Sequence, residues 1–226
     1  MRFYTYIKYF YFLASRWNLR IAWHIMWKEV NGEKKYGIQT TGADELNQLE
    51  DLGIDTSYAT IYIPASYDLL EAVFTELMQK KLAHFIDIGC GKGRVLCVAA
   101  HFGFKNITGI DFSKELCDQA KINLEKTKNL IPDISYKIIN NDAFYYEIPG
   151  DADCIFFFNP FDEIIMEGVI ENINTSLEEY PRDIYIIYFT PLYKLQFIEN
   201  GFKEVFYYKK LTFLECSILK KEMTSF

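Results

Sequence analysis

The chain has 226 residues, half of them hydrophobic and 17% aromatic, with a net charge of −7. That length and apolar content suit one fully cored domain with a small extension and exclude a disordered chain. The negative balance excludes a protein that coats nucleic acid through a basic surface.

The charge is unevenly spread. Residues 1–40 hold seven bases and only two acids, Glu29 and Glu33, so this stretch carries +5 and the remainder −12. All three tryptophans (Trp17, Trp23, Trp27) also fall here. From Arg2 to Lys28 the sequence is aromatic and basic with no Gly or Pro, which permits one or two helices. Its longest uncharged run, Tyr9 to Ser15, is far shorter than the ~20 residues of a membrane span, and no signal-type cleavage pattern follows. Two readings stand: aromatics packed as an N-terminal helical layer, or an interfacial helix that sets Trp and Lys/Arg against a lipid or partner surface.

Residues 31–60, polar and punctuated by Gly32, Gly37, Gly42 and Gly53, read as a linker with a short acidic helix from Ala43 to Leu52. Residues 1–60 are thus expected to form an extension and residues 61–226 the main domain. After Ile61-Tyr62-Ile63-Pro64-Ala65, Ser66 is expected to cap a helix reaching about Lys81, with Asp68 and Glu71 in its first turn.

The stretch Phe85-Ile86-Asp87-Ile88-Gly89-Cys90-Gly91-Lys92-Gly93-Arg94 reads as strand, tight loop and helix. Alternate glycines can take positive φ and have no Cβ, so a ligand can lie on bare backbone while the helix N-terminus offers unpaired N–H groups. Dinucleotide folds use Gly-x-Gly-x-x-Gly facing a pyrophosphate; here the spacing is Gly-x-Gly-x-Gly, with Asp87 before it. In this the chain resembles the class I S-adenosylmethionine-dependent methyltransferases, whose first motif is acid-x-Gly-x-Gly-x-Gly. The resemblance implies S-adenosyl-L-methionine as cofactor, held by Asp87, Gly89, Cys90, Gly91 and Gly93. It also implies that the segment ahead of the sheet folds over the cofactor, which makes Tyr58 and Tyr62 lid candidates. The alternative is that these tyrosines pack on the first helix.

Downstream, a helix from Arg94 to Phe102 and a strand from Asn106 to Ile110 lead to Asp111, 18 residues beyond Gly93. An acid at about that offset can accept from both ribose hydroxyls, and Phe112 could lie on the adenine. Ser113 is expected to cap a helix to about Thr127. A third strand, Ile134 to Asn140, leads to Asp142 and Ala143; the resemblance assigns these to the adenine amino group and a ring nitrogen, although Asn-Asp is also turn chemistry. The fourth strand, Cys154 to Phe158, is continuously apolar, as in a parallel strand buried on both faces. It runs into Asn159-Pro160-Phe161, similar to the Asn/Asp-Pro-Pro-aromatic of amino methyltransferases with the second proline missing. By that likeness Asn159 orients the acceptor nitrogen and Phe161 stacks on its plane. Asp162 joins Tyr58 and Tyr62 as a candidate base, and Glu147, Asp151 and Asp153 read as solvated turn residues.

A helix from Ile164 to Leu177, a fifth strand from Ile184 to Phe189 and a helix from Leu192 to Glu199 follow. Strands Phe202 to Tyr208 and Leu211 to Leu219, joined through Lys209-Lys210, close the chain. The expected architecture is α/β: a Rossmann-like, seven-stranded, doubly wound sheet with a C-terminal antiparallel hairpin and an N-terminal helical extension. Five cysteines (Cys90, Cys97, Cys117, Cys154, Cys216), an odd number without paired short spacings, read as reduced, mostly buried thiols of a cytosolic protein. No Cys/His cluster suggests a metal, and His24, His84 and His101 read as helix-end or core-edge residues.

The motifs look like those of a group of bacterial methyltransferases and, more distantly, of the seven-strand protein-lysine methyltransferases. They imply in-line methyl transfer to a nitrogen of a protein side chain, nucleobase or small molecule. The rivals are a nicotinamide-dependent oxidoreductase and a non-catalytic module that docks a membrane or protein partner through residues 1–30. The expected location is cytoplasmic, with a peripheral place at the inner membrane face left open by the N-terminal segment.

Overall fold

The computed structural model describes residues 2–16, 19–42, 64–158, 163–210 and 214–223. Its elements are α1 (Arg2–Arg16), α2 (Leu19–Tyr36), α3 (Tyr67–Leu77), β1 (His84–Ile88), α4 (Arg94–His101), β2 (Asn106–Asp111), α5 (Lys114–Leu130), β3 (Ser135–Asn140), a 3-10 turn (Ala143–Tyr145), β4 (Cys154–Phe158), α6 (Glu163–Glu179), β5 (Ile184–Phe189), α7 (Lys194–Glu199), β6 (Lys203–Lys210) and β7 (Leu214–Lys221). One sheet holds all seven strands in the order β3-β2-β1-β4-β5-β7-β6. The first five are parallel, and β7 runs antiparallel between β5 and β6. The order reverses between β1 and β4, so the carboxyl ends of those two strands flank the switch point where open α/β sheets bind ligands.

The apolar runs account for this arrangement. Every residue of β5 is buried, as a continuous Ile/Phe/Tyr strand covered on both faces requires, and so is every residue of β1, His84 and Asp87 included. One core layer joins α3, α4 and the facing side of the sheet through Leu70, Phe74, Phe85, Leu96 and Phe156. The other joins α6 and α7 to the opposite side through Ile155, Phe157, Met166, Ile170 and Phe197. The outer strand β6 is largely exposed and carries Lys203, Lys209 and Lys210, charges that discourage edge-to-edge pairing.

The N-terminal helices pack on each other through Tyr9 and Leu13 of α1 against Ala22 and Met26 of α2, as the helical-layer reading expects. The linker expectation needs correction at its start. Residues 31–36 belong to α2, and Ile38, Thr40 and Thr41 beyond it are buried. Gly32 sits where a Cβ would lie 2.2 Å from the Tyr67 ring. Its absence lets α2 close on α3, so that Tyr36 stacks on Tyr67 at 5.6 Å. The acidic helix expected at residues 43–52, and Tyr58 and Tyr62, lie outside the described residues.

Smaller corrections have local causes. Ser66 occupies the N-cap of α3 without a side-chain bond, and α3 stops at Leu77 rather than near Lys81. Asp68 turns to Lys28 and Lys210 at 2.9 and 2.6 Å, and Glu71 turns to Lys35 at 2.8 Å. Lys209 and Lys210 are not the hairpin turn; they pair with Glu215 and Leu214 inside the ladder. Asp153 is no solvated turn residue. Its carboxylate accepts from the backbone N–H groups of Ala83 and His84 at 2.6 and 3.1 Å, and burial raises its pKa. Exposed Asp151 is hydrogen-bonded to Nδ1 of buried His84 at 3.0 Å, which lowers its pKa. All five cysteines are free and buried.

Candidate functional site

The loop after β1 is built from backbone. Gly89, Gly91 and Gly93 have φ of 83°, 51° and 76°, the left-handed region that side chains with a Cβ occupy at a cost. Gly89 and Cys90 donate their N–H groups to the Ile110 carbonyl at 2.8 and 2.9 Å, which fastens the loop to the end of β2. Gly93 donates to the Cys90 carbonyl at 2.8 Å, and its own carbonyl accepts from Cys97 to begin α4. A Cβ on Gly93 would meet Ala120 at 3.1 Å, so α4 and α5 approach closely there. Cys90 itself is buried, and burial raises its thiol pKa.

Two carboxylates stand behind this loop. Asp111, at the end of β2, accepts from Gly91 N–H through Oδ2 at 2.8 Å and from Ser113 N–H through Oδ1 at 2.9 Å. Asp87, in β1, is 1% exposed, and its buried Oδ2 has no hydrogen-bond donor. Its pKa is raised by burial and, secondarily, by the negative charge of Asp111. A buried carboxyl oxygen without a donor is costly and needs an explanation. A ligand that brings positive charge or N–H groups into this loop supplies one.

The far side of the cleft is fastened in turn. Asn140 Nδ2 donates to the carbonyls of Asp111 and Phe112 at 3.0 and 2.7 Å, and Phe112 projects its ring into solvent. Asp142 caps the 3-10 turn by accepting from Phe144 N–H at 2.9 Å, and Ala143 is buried beneath it. Asn172 of α6 donates to the carbonyls of Phe144 and Tyr146, while Gly168 leaves room for the Phe144 ring. Phe157 of β4 pairs in register with Ile88, so β4 ends beside the glycine loop at Phe158. Asn159, Pro160, Phe161 and Asp162 follow in sequence and lie outside the described residues. The structure thus brings Asp87, the three glycines, Cys90 and Asp111 together, with Phe112, Asp142 and Ala143 on the neighbouring strand ends.

Sequence reasoning missed the near wall, which the N-terminal segment supplies. Arg94, the first residue of α4, is 2% exposed. Its guanidinium donates to Glu29 Oε1 and Oε2 at 2.9 and 2.5 Å, to Thr40 Oγ1 at 2.8 Å and to the Ala65 carbonyl at 2.9 Å. It also lies 4.3 Å from the centre of the Tyr67 ring. Glu33, one turn after Glu29, accepts from the N–H groups of Thr40 and Thr41 at 2.5 and 2.7 Å and from the Tyr6 hydroxyl. Asn123 of α5 donates to the carbonyls of Gln39 and Lys92, both at 3.0 Å, and accepts from Gln39 N–H at 3.0 Å. One side chain therefore joins residue 39 to the glycine loop. A signal existed: Glu29 and Glu33 are the only acids in a basic stretch, four residues apart and so on one helical face.

Residues 85–179 match the family model described as a methyltransferase domain. Among curated proteins, EEF1A lysine methyltransferase 2 of Danio rerio is 32% identical over 97 residues, which are 43% of this chain and 36% of that protein. The chain spans about a third of the length of the curated relative it matches. Among solved structures, the ribosomal protein L11 methylase from Lactobacillus delbrueckii subsp. bulgaricus aligns with a TM-score of 0.51 at 18% identity, over 70% of this chain and 78% of that one. The magnesium protoporphyrin IX methyltransferase of Synechocystis PCC 6803, solved with bound SAM, gives 0.51 at 16% identity, over 70% and 79%. At these identities the likeness is one of fold.

Proposed function

We propose, for a chain whose residues 85–179 match a methyltransferase-domain model on a seven-stranded sheet, that it transfers a methyl group from S-adenosylmethionine to a nitrogen of an acceptor. The observation that carries the cofactor assignment is the pair of acids behind the glycine loop, one of them buried with an unpartnered Oδ2. A cation at the loop draws the buried Asp87 carboxyl into its ionised form, which favours a ligand with an ammonium and a sulfonium over one that brings a diphosphate. The bound cofactor supplies a methyl group on a positively charged sulfur, an excellent leaving group.

The protein's part is placement. Backbone of the glycine loop holds the amino-acid end of the ligand, with Asp87 answering its positive charge. Asp111, at the end of β2, accepts from the ribose hydroxyls, Asp142 and Ala143 contact the adenine edge, and Phe112 covers its face. Asn159, directly after β4, orients the acceptor nitrogen, and Phe161 stacks on its plane. Alignment of the acceptor behind the methyl and exclusion of water supply the rate enhancement. The support for a nitrogen target is the Asn159-Pro160-Phe161 sequence at the strand next to the loop.

The test has two steps. Calorimetric titration of the full chain should show S-adenosylmethionine binding and no binding of NADH at comparable concentration; the reverse order rejects the assignment. Incubation with radiolabelled methyl donor and fractionated cell extract then asks whether label enters protein, nucleic acid or small molecules. Label that survives as an ester or ether rather than an amine would overturn the nitrogen target.

A further inference from the structure

The inner face of α2 is fully used, and its outer face is not. Ala22, Met26, Glu29, Glu33 and Tyr36 are buried against α1, α3 and α4. Leu19, Trp23, Trp27 and Val30 are exposed at 69%, 69%, 56% and 42%. At 100° per residue these four positions fall within an arc of about 80°, a continuous apolar stripe along the helix. Two indole rings left in water on one helix of a folded domain call for a partner.

Charge says which partner. Lys28 and Lys35 are engaged with Asp68 and Glu71, whereas Arg20 and Lys34 have no acidic partner among the described residues. Exposed Lys8 lies over the Tyr4 ring on α1, at 5.1 Å. The first 40 residues carry +5 and the rest of the chain −12. A second copy docking the same face would set +5 against +5, which opposes a symmetric dimer. An anionic bilayer instead attracts this end and repels the remainder, which fixes orientation as well as contact. No described helix is long and apolar enough to cross a membrane, so the contact would be made lying on the surface.

We propose that the outer face of α2, with Leu19, Trp23 and Trp27 as apolar anchors and Arg20 and Lys34 as headgroup contacts, docks the protein on an anionic lipid surface. The geometry is that of an interfacial amphipathic helix, in which Trp and Leu enter the headgroup boundary while basic side chains stay among the phosphates. Such helices are often unfolded until lipid orders them. This one is already held by Arg94, Glu29 and Glu33, so no ordering entropy opposes binding. The inference rests on α2 alone and stands or falls separately from methyl transfer.

The experiment is co-sedimentation of the full chain with phosphatidylcholine vesicles, with and without phosphatidylglycerol, paired with tryptophan emission. Every tryptophan of the chain lies in residues 17–27, so the emission reports this segment. The wild type should bind only the anionic vesicles, with a blue shift, and added salt should weaken binding. Trp23→Ala/Trp27→Ala should lower the partition coefficient about tenfold or more, and Arg20→Glu/Lys34→Glu should abolish the preference for anionic lipid. These side chains are exposed, so circular dichroism should show both variants folded. Failure to sediment, or equal partitioning of the tryptophan variant, overturns the proposal. So does a concentration-dependent dimer that Trp23→Ala/Trp27→Ala dissolves, which would make the face a contact between copies.

Discussion

Replacing Glu29 by alanine should unfold the near wall of the cleft from a distance. Arg94 is 2% exposed, and its guanidinium donates twice to Glu29 as well as to Thr40 and Ala65. The substitution removes the carboxylate that answers the buried guanidinium; the Thr40 hydroxyl, the Ala65 carbonyl and the Tyr67 ring beside it carry no charge. Removing one partner of a buried pair costs about 3–5 kcal/mol, because the other charge stays desolvated. Against the ~5–15 kcal/mol that stabilises a domain, that is a large share. For a chain of this length it corresponds to a fall of roughly 6–20 °C in Tm. Differential scanning calorimetry and urea titration measure it. The control is Glu29→Leu with Arg94→Met, which removes both charges and should recover much of the loss, since an apolar pair of similar volume is often as stable as the ion pair. A loss under ~1 kcal/mol for the single variant would show the pair to be exposed in solution and would refute the account of the wall. So would a double variant no more stable than Glu29→Ala.

Three further outcomes concern the cleft. Asp111→Ala should weaken S-adenosylmethionine binding by about 1–3 kcal/mol, the value of a lost charged hydrogen bond; calorimetry showing unchanged affinity would remove Asp111 from the ribose. Asp87 has a raised pKa in the unliganded protein, so its contribution to stability is complete below the unfolded-state value near 3.8 and is lost as pH rises through the folded value. A cationic ligand reverses the preference, so binding should release a proton and strengthen with pH across that window; identical heats in buffers of different ionisation enthalpy would contradict this. Asn159→Ala should leave cofactor affinity unchanged and abolish methyl transfer, and a variant that methylates at the wild-type rate would exclude Asn159.

What could be read from the chain followed how local the cause was. The sheet was legible because β4 and β5 are unbroken apolar runs, β1 is a short strand ending at the glycines, and each glycine of the 89–93 loop meets a backbone demand that only its neighbours set. The ends of elements shifted by a few residues, as fraying helix ends do. The 37–42 segment was not legible. Its Gly, Gln and Thr have linker composition, and its order comes from Glu33, Asn123 and Arg94, the last two 84 and 54 residues away in their bonds to it. Asn123 lies in a polar helix where nothing separates it from a solvated neighbour until α5 is placed against the glycine loop. Asp153 misled for the same reason: an acid before a strand looks solvated unless the adjoining strand's N–H groups are known to need an acceptor.

Gly32 has a consequence for how the outermost helix can sit. Glycine inside a helix ordinarily costs about 1 kcal/mol relative to alanine, yet here any larger residue would collide with the phenol ring facing it. Sliding the helix by a single position in either direction would bring Asn31 or Glu33 to that ring, and neither fits. The hairpin therefore has one seat on the domain rather than a range of them, and the direction in which its two exposed indoles point is inherited from the fold instead of being chosen on contact.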